Sequence, residues 1–397
     1  MVLVKSGPGK TSGIIDGMTE LPSLLILTFS PIRSDPRVLK QVELFKGKYR
    51  VSTCGYGGAP EGVDSHYALP DDSRGWSSDK VGLLTRRYPR VYNGMTAVSA
   101  ARGVLPKGEF DVILANDLNT LPLALELQPR LGVHADLHEF APREKEADPK
   151  WRLAVAPFMR WLCRRYLPLA SSVTTVSQGI AEAYARDYGI SVDVVTNAAP
   201  YTAGTVQPVG PTLRLVHSGA AQRYRQLDML VEAMTDAPDW LTLDMILMPN
   251  EPDYLEELKN LALGVPAVRF REPVPYTELV KTMSEYDASI VFFPPTTFNL
   301  EHTLPNKFFE AVQARIGLIT GPSPSMVPLM EQYGLGAVTT DFSAASLRET
   351  LHGLTAEKIS EWKRAADAAA RPLSAESQVL AWQAAVEGIV KSQPARA

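Results

Sequence analysis

Short apolar runs alternate with segments of helical period along most of this chain, and the alternation stops once and begins again. Leu24-Leu25-Ile26-Leu27-Thr28-Phe29 carries no charge, the pattern of a strand buried on both faces of a parallel sheet. A loop with Ser34-Asp35-Pro36-Arg37 follows, and then Val38 to Phe45 has helical spacing. Further strands are expected at 50–53, 111–115, 134–137, 172–176 and 193–196, most of them leading through a polar or Gly-bearing loop into a helix. The Pro-, Gly- and Thr-rich residues 201–211 read as a linker. Leu213-Arg214-Leu215-Val216-His217 then opens a second series, continued near 242–247, 267–270, 289–293 and 318–320. The Ala-rich 364–371 stretch is expected to form a terminal helix. The fold class that follows is α/β, with two Rossmann-like doubly wound domains facing each other across a cleft. Their expected limits are a disordered tail at 1–20, an acceptor-side domain at 21–200, the linker, a second domain at 212–372, and a helix and tail at 373–397.

At 397 residues the chain exceeds what one hydrophobic core ordinarily supports, which agrees with two domains. A net charge of −4 gives no general attraction to nucleic acid. Cys54 and Cys163 lie far apart and without metal-ligand spacing, so neither a disulfide framework nor a zinc site is suggested, and a reducing cytoplasm fits. No apolar run approaches the ~20 residues of a membrane span. Gly7-Pro8-Gly9-Lys10-Thr11 is not a phosphate loop, because Val4 stands where the first glycine would be and no strand precedes it.

The most informative segment is Leu300 to Glu310, after the apolar run Ala288 to Phe293. Its second half opens a helix at the carboxyl edge of a sheet, where open α/β sheets bind ligands. Lys307 and Glu310 then lie one turn apart. A helix start plus Lys307 suits phosphate, while Glu310 can accept two hydroxyl hydrogen bonds, and phosphate with a vicinal diol describes a nucleotide. Four other junctions carry polar groups: Arg37 in the first loop, His138 and Glu139 after Asp136-Leu137, Gly219 with Arg223 and Arg225, and the loop Phe270 to Tyr276 containing Val274. Each has a plainer reading, as a helix cap, a structural histidine or solvated arginines.

Pro305-Asn306-Lys307-Phe308-Phe309-Glu310-Ala311, followed by Ile316 to Thr320, resembles the donor-binding segment of retaining glycosyltransferases of the family four type, which have the GT-B fold. Asp35-Pro36-Arg37-Val38 and Asp136-Leu137-His138-Glu139 are similar to segments of the same family. The resemblance implies that His138 meets the donor sugar, that Arg225 and Lys307 meet the diphosphate, and that Glu310 holds the ribose. It further places Asn306, Thr303, Leu304, Arg223, Gly219, Val274, Arg37 and Glu139 around the donor. The base is expected to pair with backbone near Val274, which leaves uracil and guanine open. Three departures stand out: His302 where the family has a carboxylate, and Arg315 and Gln226 where it has glycine.

The expected activity is metal-independent, retaining transfer of a sugar from a UDP- or GDP-sugar, with no cofactor besides that donor, to a glycan, lipid-linked or small-molecule acceptor. A GT-B nucleotide-sugar epimerase and a non-catalytic nucleotide-sugar-binding subunit are the alternatives. Residues 149–181 contain no Asp or Glu, and Lys150, Arg152, Arg160, Arg164 and Arg165 alternate there with Trp151, Phe158, Trp161 and Tyr166. That mixture suits either an anionic membrane surface or lipid diphosphate, or equally a packed helix with solvated arginines, and Arg86-Arg87-Tyr88-Pro89-Arg90 poses the same question.

Overall fold

The computed structural model describes residues 21–392, and the tail expected at 1–20 lies outside them. Thirteen strands form two separate, wholly parallel sheets among the described residues. The first contains β1 (Ser23–Pro31), β2 (Arg50–Tyr56), β3 (Ser65–Leu69), β4 (Val112–Asn116), β5 (Gly132–Leu137), β6 (Ser172–Thr175) and β7 (Asp193–Val194). The second contains β8 (Leu213–Ala220), β9 (Leu241–Met248), β10 (Val268–Arg271), β11 (Ala288–Val291), β12 (Gly317–Thr320) and β13 (Gly336–Val338). Their orders are β3-β2-β1-β4-β5-β6-β7 and β10-β9-β8-β11-β12-β13. Each order reverses direction once, between β1 and β4 and between β8 and β11, and these switch points open the crevices in which doubly wound sheets bind ligands.

Alternation of side chains across the strand explains the layers. Leu25 and Leu27 point into one hydrophobic cluster, Leu24 and Ile26 into another, so β1 is apolar on both faces and reads as a continuous run. The second sheet is likewise sandwiched between two clusters, one around Leu215 and Ile290 and one around Val216 and Phe308. Strands β3 and β13, at opposite edges of the two sheets, were not legible: Ser65–Leu69 is largely unburied, and Gly336–Val338 is three residues long.

The Ala-rich stretch corrects an expectation. It lies in the helix Ala356–Ala369, which is followed by Ala375–Gln378 and by Leu380–Lys391. That last helix returns to the first sheet, where Trp382, Val386 and Ile389 join Leu24, Ile26 and Val112 in one cluster. The basic stretch also divides, into helices Pro149–Ala154 and Ala156–Tyr166. Trp151 and Phe158 are core residues of the first domain, so only part of the aromatic set faces outward. Arg86, Tyr88, Arg160, Trp161, Arg164 and Arg165 line one open groove of about 690 Å3, which joins the two basic stretches in space. No helix among the described residues is long and apolar enough to cross a membrane.

Candidate donor-binding site

At the second switch point, Gly219, the penultimate residue of β8, has a φ of 141°, a conformation that favours glycine. A Cβ placed there would stand 2.8 Å from Lys307 Nζ and 3.3 Å from Arg225 Nη1, so two cations converge on bare backbone. Arg225 closes the 3-10 turn Arg223–Arg225, and Lys307 belongs to the first turn of the helix Asn306–Gln313. That helix starts after Pro305 without a side-chain cap, which leaves first-turn N–H groups for a ligand. Thr303 and Leu304 precede the helix, half-buried, and Leu304 packs on the cluster around Phe308; Asn306 is exposed.

Lys307 is buried and has one hydrogen-bond partner among the described residues, His217 Nε2 at 3.3 Å. Burial above all, and then Arg225, pulls its ammonium down to about 7, while Glu310 pulls the other way. Glu310 is 5% exposed, and its carboxylate makes no hydrogen bond or ion pair among the described residues. Burial pushes its carboxyl up to about 7, against the opposing pull of Lys307 and of Lys40 from the other domain. An unpartnered buried carboxylate is unfavourable unless something else supplies its hydrogen bonds.

At the first switch point, His138 stands just past the end of β5. Its Nδ1 is 3.3 Å from Asp117 and its Nε2 3.5 Å from Asp136. Burial lowers the basicity of this imidazole, but the Asp117 carboxylate and then Asp136 more than offset that, and its pKa ends above the ordinary value. His138 and Glu139 line a cleft of about 630 Å3 together with Ser30, Trp76, Asn119 and Glu144. Partial desolvation there, then the Glu144 and Asp117 carboxylates, pushes the Glu139 carboxyl up to about 7.

Two expected donor contacts are corrected. Arg37 does not reach the cleft with a free guanidinium: it is buried, its Nε and Nη2 grip Asp136 at 2.7 and 2.6 Å, and its Nη1 donates to the Val195 carbonyl at 3.0 Å. A guanidinium inserted beside the only buried carboxylate of that sheet edge is consumed by it. Arg223 pairs with Glu257 at 2.8 Å and lies over the Tyr254 ring, so its guanidinium is engaged on the second domain's own surface. Val274 sits half-buried in the loop between β10 and the helix Tyr276–Met283.

The departures have local causes. Gln226 and Arg315 both hold positive φ, 50° and 62°, which is why glycine suits these positions. Arg315 gains compensating bonds, 2.7 Å to Asp367 and 2.8 Å to the Thr202 carbonyl, and so ties the linker to the second domain. His302 is turned away from the donor site. Its ring packs on Phe298 at 4.4 Å and abuts Gly179 of the helix Gln178–Tyr188, where a Cβ would come within 2.0 Å of it. Phe298 itself joins the core of the first domain, 5.2 Å from the Phe140 ring, and the Phe140 N–H donates to Asn299 at 2.9 Å. The loop after β11 is therefore anchored on the opposite domain. Among the residues that sequence reasoning passed over, His217 touches Lys307, Asp117 touches His138 and Asn299 approaches Glu139; a histidine two residues before Gly219 was a visible signal for the first, and nothing marked the other two.

Two parallel, doubly wound sheets with their switch points opposed across a cleft define a GT-B-fold protein. Residues 49–200 match the family model of Glycosyltransferase Family 4, so the chain carries that family's pattern in its first half and the GT-B fold throughout. HepE of Anabaena, in a structure with UDP and glucose, superposes with a TM-score of 0.64 at 16% identity, over 94% of this chain and 100% of that one. The UDP-forming α,α-trehalose-phosphate synthase of Burkholderia vietnamiensis gives 0.68 at 12% identity, over 94% and 99%. Sucrose-phosphate synthase of Thermosynechococcus elongatus gives 0.64 at 13% identity, over 94% and 100%. Comparison with curated sequences gives no significant match.

Proposed function

We propose that this chain is a retaining glycosyltransferase that works without a metal, moving a hexose from a nucleotide-diphosphate sugar to a hydroxyl of a glycan, lipid-linked or small-molecule acceptor. One observation carries the reading: the buried Glu310 carboxylate without a protein partner lies one helical turn from a Lys307 ammonium that converges with Arg225 on Gly219. That is a place for two adjacent hydroxyls beside a place for a diphosphate. HepE, similar in fold, has been solved with UDP and with UDP-glucose, which supports UDP as the first nucleotide to try.

In the proposed reaction the bond from sugar C1 to the diphosphate oxygen breaks, and the acceptor oxygen bonds to C1 on the same face. The acceptor proton passes to the departing phosphate. Lys307 and Arg225 stabilise the charge growing on that phosphate, Glu310 orients the ribose, and His138 orients the sugar. The groove around Trp161 is read as a surface for an anionic lipid, on the cytoplasmic side of a membrane. Incubation with UDP- and GDP-sugars plus candidate acceptors, followed by NMR of the anomeric proton, tests the reading. Transfer with retained configuration and undiminished by EDTA is expected; inversion, or activity that returns only with a divalent ion, overturns it. Conversion of the donor sugar without acceptor would identify an epimerase, and tight nucleotide binding with no turnover a binding subunit.

A further inference from the structure

His217 is a fully buried imidazole on β8, two residues before Gly219. Its Nδ1 lies 2.8 Å from the Ile290 carbonyl of β11. A carbonyl oxygen only accepts, so Nδ1 carries the proton and the opposite nitrogen, Nε2, is a bare lone pair. Lys307 Nζ, 3.3 Å away, donates to it. Burial first, then the positive charge of Lys307, holds the pKa of this histidine well below its ordinary value, in the same sense as the Nε2 acceptor role that the Ile290 bond fixes. His217 holds the Lys307 ammonium on one side, and a Cβ at Gly219 would stand 2.8 Å from the same nitrogen.

We infer that His217 is a positioning residue, an acceptor through Nε2 that aims the Lys307 ammonium at the diphosphate of the donor. The inference rests on the donor-site reading given above. Neither β8 nor β11 needs a histidine for its ladder: the sheet bonds are made by backbone, and an apolar side chain would fill the same volume. What the imidazole adds is one bond to β11 and one to Lys307, across the switch point itself.

The experiment uses the whole protein, UDP, GDP and the free nucleosides, and calorimetry at pH 7.5. Asparagine reaches the Nδ1 position and keeps a bond to Ile290, whereas glutamine reaches the Nε2 position and keeps an acceptor for Lys307. We expect His217→Asn to lower the ratio of nucleotide to nucleoside affinity by about tenfold, as for loss of one bond to a charged group, and His217→Gln to restore most of it. In a Lys307→Met background His217→Asn should have no further effect. His217→Leu serves in the same way should the asparagine variant not fold. A nucleotide-to-nucleoside ratio within about twofold of the parent, or effects of the two substitutions that multiply, overturns the role of His217 while leaving the donor site intact. Parent protein that binds neither UDP nor GDP overturns the donor-site reading and this role together.

Discussion

The indole N–H of Trp382, near the end of the chain, donates to Asp136 at 3.1 Å, and the Arg37 guanidinium lies 4.6 Å above the same indole ring. Asp136 also accepts from Arg37, Gln41 and Thr174. Burial alone would raise its carboxyl, but Arg37 above all, with help from His138, holds it well below the usual carboxylate range. Trp382→Phe keeps most of the packing and loses one hydrogen bond, about 1–2 kcal/mol because the acceptor is charged. Trp382→Ala should cost about 3–5 kcal/mol. Urea unfolding checks both, and equal losses for the two would show that the indole N–H matters and the packing does not.

Arg37→Ala leaves a buried carboxylate without its countercharge, so a loss of about 3–5 kcal/mol in stability is expected. The nucleotide affinity of the folded protein should stay within about threefold, since Arg37 has no free N–H directed at the cleft. A variant of normal stability with crippled nucleotide binding would restore Arg37 to the donor site.

Lys307 and Glu310 should shape stability against pH in opposite senses. Lys307 falls from 10.5 to about 7 on folding, so between those values the unfolded chain binds more protons and stability rises with pH. Glu310 rises from 4.5 to about 7, so between those values the folded chain binds more protons and stability falls as pH rises. Their joint contribution is lowest near pH 7. Lys307→Met should therefore be more stable than the parent at pH 7 by about 1–3 kcal/mol and flatter above it, while losing nucleotide affinity. Unfolding curves at pH 5, 7 and 9 give the comparison, and a destabilised Lys307→Met protein at pH 7 would contradict it.

His138→Ala should bind nucleotide nearly as well as the parent yet transfer sugar at least about tenfold more slowly, because its contact is made across the cleft and chiefly in the transition state. A raised KM with unchanged kcat would make it an ordinary binding residue.

Much of this arrangement was legible. Continuous apolar runs such as Leu24 to Leu27 announce a two-faced parallel sheet, and the break at 201–211 followed by Leu213 to His217 announces a second one. Lys307 and Glu310 were legible because helical spacing puts them on one turn at a strand end. Arg37 misled because a sequence cannot say which carboxylate lies behind a loop, and its guanidinium is bonded to Asp136. His302 turned toward Gly179 because the whole loop after β11 is held by Phe298 in the other domain, a long-range packing that local pattern does not encode. The edge strands β3 and β13 lack the burial that makes a strand visible.

The return of helix Leu380–Lys391 to the first sheet has a consequence for synthesis on the ribosome. The face of β1 and β4 that carries Leu24, Ile26 and Val112 is covered only in part, by Val38, Val42 and Phe45 of the helix Pro36–Phe45, until Trp382, Val386 and Ile389 emerge, by which time every described strand of both sheets has been made. The first half of the chain therefore cannot finish folding before the second. Chains cut short anywhere before residue 380 should keep an open apolar face, and their fate in a cell falls to chaperones and proteases.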